Sequence, residues 1–167
     1  MSDIKPRHQW ISVRYLPGLA EDLTSWETSI DENGYLSQIV RVSRFAPPLE
    51  RTDHLCKQLS PEQVSQLRSL VAATDFAAFK GAISTIDDAE DCSISVREGE
   101  AVSEFQAPLL TWSCFQRYLD EQSLFDPPWA SRPCLQIPVT QDALSSALRL
   151  WHVLDTLSPH GLHSKVA

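Results

Sequence analysis

The sequence predicts an α+β domain: an antiparallel sheet of about five strands with two tight hairpins, and about three helices packed on one of its faces. Three observations predict it. Short runs alternate apolar and polar residues, the period of a strand with one buried face. "DENG" (31–34) and "REGE" (97–100) put glycine between two such runs, where a tight turn calls for a positive φ. Apolar residues recur at helical spacing in three further segments. A chain of 167 residues with 43% hydrophobic and 22% charged residues can bury a core unaided, and it reads as one domain, 1–167.

Taken in order, "QWISVRY" (9–15) sets Ile11, Val13 and Tyr15 against Trp10, Ser12 and Arg14, and "TSWETSI" (24–30) puts Trp26, Thr28 and Ile30 on one face. "YLSQIVRVSR" (35–44) follows the turn with Leu36, Val40 and Val42 inward. This leaves Trp10, Tyr35 and Ile39 opposite the expected core, either covered by a loop or forming an aromatic anchor. A calcium loop is the competing reading of "DENGY", but Tyr35 stands where a third oxygen ligand belongs. Residues 45–59 contain prolines and no period, and read as a surface loop.

"SPEQ" (60–63) opens a helix: Ser60 caps, Pro61 suits the first helical position and Gln63 closes a capping box. Val64, Leu67, Leu70 and Val71 form its apolar stripe, with Phe76 and Phe79 folding back onto the core. "CSISVREGEAVSEF" (92–105) is the second hairpin, with Cys92, Ile94 and Val96 inward. A helix is expected over 109–122 from Leu109, Trp112, Phe115, Tyr118 and Leu119, then a proline-rich connection (125–138) with a short edge strand at 135–137. Thr140 caps the last helix, whose Leu144, Leu148, Trp151 and Leu154 face inward; "SPHG" stops it, and the tail, 158–167, is expected to fray. The expected core is Trp26, Ile30, Val40, Val64, Leu67, Ile94, Val96, Trp112, Phe115, Leu148 and Trp151. Periodicity defines these elements but neither strand order nor oligomeric state.

The first thirty residues hold no apolar run suited to a signal peptide or membrane span. Four cysteines, Cys56, Cys92, Cys114 and Cys134, lie far apart without a C-x-x-C pair. That spacing favours reduced thiols in a cytoplasm over a zinc ribbon, while a two-bridge periplasmic protein stays open. The net charge of −8 is uneven: residues 61–125 hold eleven acids and four bases. Such a field repels nucleic acid and anionic membrane and attracts basic proteins.

The acids concentrate at Asp87, Asp88, Glu90, Asp91, Glu98, Glu100 and Glu104. As a calcium loop starting at Asp87, the segment would place Ala89 at position three and Cys92 where glycine is needed, so it fails; a looser magnesium site from Asp87, Asp88 and Asp91 stays open. Acid–base catalysis requires two carboxyls in different environments, and these share one hydrophilic loop. No G-x-S-x-G elbow, histidine ligand spacing or phosphate loop occurs; the one nucleophile–base candidate is Cys56 with His54. No metal or cofactor is expected. Elimination leaves a contact surface for a basic protein partner, with the seven carboxylates on one hairpin and its approaches.

The "SIDENGYL" hairpin, "LSPEQVSQLRSLV" helix and "DCSISVREGE" hairpin, with the acidic balance, cover roughly residues 24–122. In that layout the chain resembles small bacterial proteins of unknown function and the immunity proteins that neutralise polymorphic or contact-delivered toxins. The resemblance implies a cytoplasmic, non-catalytic inhibitor that occupies the active site of a basic toxin, often a nuclease, its acidic surface standing in for phosphates. The alternatives are a small-molecule or metal-responsive module, or an enzyme using Cys56 and His54.

Overall fold

The computed structural model describes residues 8–17, 22–79, 91–108 and 141–162. Its strands are β1 (Gln9–Leu16), β2 (Asp22–Asp31), β3 (Tyr35–Arg44), β4 (Leu49–Gln58), β5 (Asp91–Glu98) and β6 (Ala101–Pro108). The helices are α1 (Pro61–Ala73), a 3-10 turn at Phe76–Phe79, and α2 (Gln141–Leu157). The six strands form one antiparallel sheet in the order β4-β3-β2-β1-β5-β6. The α+β class is as the sequence predicts. The described residues hold six strands where five are expected, and two α-helices where three are; the expected helix at 109–122 and strand at 135–137 lie outside them.

One face of the sheet carries the core. Across the register, Val40 pairs with Trp26 and Trp26 with Tyr15; Leu36 pairs with Ile30, Ile30 with Ile11 and Ile11 with Val96; Val13 pairs with Ile94. All are buried, in one cluster with Leu67 and Val71 of α1 and Leu148, Trp151 and Leu154 of α2. The Trp151 ring lies 6.2 Å from that of Trp26, which lies 5.6 Å from Tyr15, so a line of aromatics joins helix to sheet. Of the expected core, Val64 is half-buried, Trp112 and Phe115 lie outside the described residues, and the others are buried.

The β2–β3 turn forms as its residues dictate. Asp31 Oδ1 accepts the backbone N–H groups of Asn33 and Tyr35, each at 2.9 Å, and Gly34 takes φ 79°. Asp31 is thereby committed to the turn. Gly34 is required twice over, because a Cβ there would meet Val64 Cγ2 at 2.5 Å. Ser60 and Gln63 complete the capping box of α1 through reciprocal bonds. Gly99, at φ 64°, turns β5 into β6, with Glu98 opposite Ala101.

Three expectations are corrected. Trp10 does not face away from the core: a register shift between Gln9 and Ile11 buries it beside Ile11, and the Arg68 guanidinium of α1 stacks 4.7 Å from its ring. Residues 49–58 are a strand; only 45–48 form the turn. As an edge strand exposed along most of its length, β4 has no buried face to impose a period. The tail does not fray from residue 158: Ser158, Gly161 and Leu162 are buried. Gln38, fully buried in β3, accepts the His160 N–H at 2.8 Å and donates to the Gly161 carbonyl at 2.9 Å, tying the turn after α2 to the sheet.

Candidate functional site

With the helices on one side, the other face and both edges of the sheet carry its remaining side chains. On the outer face a row of small hydroxyls crosses four adjacent strands: Ser37 pairs with Ser29, Ser29 with Ser12 and Ser12 with Ser95, ending opposite Glu104. The Ser29 and Ser37 hydroxyls are 2.9 Å apart. The next row is bulkier and charged, His54, Ile39, Glu27 and Arg14 lying in register. Tyr35 and Ile39 are half-buried on this face, as the alternation predicts. A shallow depression of about 780 Å³, lined by Leu16, Ser25, Arg41, Ser43, Glu50 and Thr52 among others, sits at the end of the face where β1 finishes. It carries both charge signs and so selects neither a cation nor an anion.

The acidic residues are distributed along the β5–β6 edge. Glu98 and Glu100 flank the Gly99 turn and are exposed; Glu104, also exposed, lies opposite Ser95. Because alternation puts Ile94 and Val96 inward, Glu98 continues the helix-side face while Glu104 is on the outer face. Asp91 begins β5 opposite Leu16, seven residues from Glu98, a span of about 23 Å at the rise of a strand. Asp87, Asp88 and Glu90 lie outside the described residues. The structure therefore brings Glu98, Glu100 and Glu104 to one hairpin, on two faces, and sets Asp91 at its far end. Arg97 and Val102 pair between them, Val102 half open at 51%. These positions are spread over two faces and both ends of the hairpin rather than converging on one point. Among the described residues no three His, Cys, Asp or Glu side chains come together as metal ligands would.

His54 and Cys56 share the outer face of β4, both exposed, with Cys56 opposite Ser37 and His54 opposite Ile39. No hydrogen bond joins them, so His54 is not set against the thiol as a base in this structure. Among the described residues the carboxyl displaced from its ordinary value is Glu62, in the first turn of α1: a hydrogen bond from the Ser60 side chain, then one from its own backbone N–H, lowers it, against a small opposing desolvation. That is capping chemistry. No helix among the described residues is long and apolar enough to cross a membrane.

Sequence reasoning missed the whole of β4 and with it one edge of the sheet. The signal available was symmetry: a ten-residue strand ending at Arg44, a four-residue proline turn, then a second polar ten-residue run ending just before the helix cap. No family model matches the sequence, and no curated protein is similar to it at a significant level.

Proposed function

We propose that this chain is a binding domain without catalytic machinery, and that it meets a basic protein partner along the β5–β6 edge. The observation that carries the reading is the exposure of Glu98, Glu100 and Glu104 on an edge hairpin, in the part of the chain that holds most of its net negative charge. Fixed carboxylates at a sheet edge accelerate encounter with a cationic surface. In its most specific form the proposal is an immunity-type inhibitor, whose partner is a basic toxin such as a nuclease. The charge pattern supports that form: a surface that rejects nucleic acid fits a site built to accept it.

The test is affinity capture with the tagged chain from cells that express it, beside a Glu98→Lys/Glu100→Lys variant. The expected result is a partner of basic pI retained by the parent and lost by the variant. An acidic partner, or equal retention by both chains, would overturn the reading. In the immunity form, adding the chain at equimolar amount abolishes the activity of the captured toxin.

A further inference from the structure

The opposite edge of the sheet has its own complementarity. Leu59 N–H donates to the Gly34 carbonyl at 2.9 Å, and β3 and β4 keep one register with no bulge from Tyr35–Gln58 to Arg44–Leu49. In an antiparallel ladder this makes the odd-numbered residues of β4 the ones bonded to β3. The even-numbered residues, Glu50, Thr52, His54, Cys56 and Gln58, consequently direct their N–H and C=O groups away from the sheet. Exposed edges of this length are ordinarily protected by a bulge, an internal proline or charged side chains. β4 has no bulge and no internal proline, and its charges, Glu50, Arg51, Asp53 and Lys57, alternate in sign, so that a second strand can match them instead of being repelled.

We propose that β4 pairs with β4 of a second copy of this chain, antiparallel, about a two-fold axis at Thr52. That register sets Arg51 opposite Asp53 of the second copy twice, Glu50 opposite His54 twice, and Leu49 opposite Leu55 twice. Parity supports it. Thr52 faces itself, and Glu50 faces His54, at positions whose backbone groups point outward, giving six hydrogen bonds across the interface. Arg51 and Asp53 then fall at the non-hydrogen-bonded positions, where opposed side chains approach most closely. Leu49, 37% exposed in the single chain, gains an apolar neighbour.

In the single chain Arg51 Nε already donates to Asp53 Oδ2 at 2.8 Å, with both side chains exposed. Pairing two copies exchanges that local contact for two across the axis. Neighbouring registers lack this match. An axis at Asp53 sets Asp53 against itself, and one at His54 sets Arg51 against Lys57. An axis at Leu55 pairs Asp53 with Lys57 but brings Arg51 against Leu59, which is already buried where α1 begins. The described strands of the two copies then form one continuous sheet of twelve with the β5–β6 hairpins at its far ends, so dimerisation does not occupy the proposed acidic contact.

Light scattering after size exclusion tests the pairing, on the parent, Arg51→Asp, Asp53→Arg, the double swap Arg51→Asp/Asp53→Arg, and Thr52→Pro. The parent is expected at twice the 18.8 kDa chain mass. Each single charge change sets like charges opposite one another at two places and yields the monomer; the double swap restores the dimer. Thr52→Pro removes an outward N–H without touching the β3 ladder, and yields a monomer with an unchanged circular dichroism spectrum. A parent that is monomeric at every concentration up to millimolar overturns the proposal, including the case in which β4 instead pairs with a strand of another protein. So does a dimer that the single changes leave intact. Dissociation by Asp53→Arg alone, not rescued by the double swap, indicates the Leu55 axis and likewise overturns it.

Discussion

Replacing Gln38 by leucine tests how the last turn of the chain is held. Gln38 is fully buried in β3, and its amide satisfies two backbone groups 122 and 123 residues away, the His160 N–H and the Gly161 carbonyl. Leucine fills similar volume but offers neither a donor nor an acceptor. Both groups are then left without partners beneath the sheet, at about 1–3 kcal/mol each, and the apolar side chain recovers part of that. A net loss of about 2–4 kcal/mol is expected. With an unfolding slope of about 2 kcal/mol/M, the urea midpoint should fall by roughly 1–2 M. Hydrogen exchange should localise the effect, the His160 amide losing protection while Val40 and Trp26 keep theirs relative to global stability. A stability change under about 0.5 kcal/mol, well below the cost of two unsatisfied buried groups, would refute the anchoring of the turn after α2 to β3 through Gln38.

Two further predictions concern the helices. Trp151→Ala removes the ring that packs on Trp26 and should cost about 3–5 kcal/mol in chemical unfolding, with loss of near-UV dichroism. Ser60→Ala should cost about 1 kcal/mol at pH 7 through the lost cap of α1. The same hydroxyl holds Glu62 below its ordinary value of 4.5, so that contribution is present above pH 4.5 and disappears as pH falls through the lowered folded value. The gap between parent and Ser60→Ala should therefore narrow in acid, and a gap that widened there would contradict the assignment.

What the sequence disclosed follows from which elements have two chemically different sides. β2, β3, β5 and both described helices each bury one face, so Trp26, Ile30, Val40, Ile94, Leu67 and Leu148 stand out by spacing, and Asp31, Gly34 and Ser60 mark the ends. β4 is wet on both sides, and no period distinguishes it from a loop. Alternation puts Trp10 on the wrong face because a single-residue register shift inverts it at the start of β1. The link from Gln38 to His160 spans most of the chain, and no local pattern encodes it. Strand order depends on β5 joining β1 after α1 has intervened, a long-range choice invisible to periodicity. The acidic residues were legible as a charge excess, but their division between two faces of one hairpin needed the register.

The measurement that bears most directly on the proposed function is the association rate of the captured partner with the parent and with Glu98→Lys/Glu100→Lys, across a series of ionic strengths. Both side chains are exposed, so their reversal should leave folding stability within about 0.5 kcal/mol of the parent. The parent's association should be fast at low salt and slow steeply as salt is added, since charges screened beyond about 10 Å at 0.1 M no longer steer the encounter. The variant should associate about tenfold or more slowly at low salt, with a flattened salt dependence, and the two should converge at high salt. Equal rates for both folded proteins at low salt would show that the β5–β6 carboxylates are only a solvated surface.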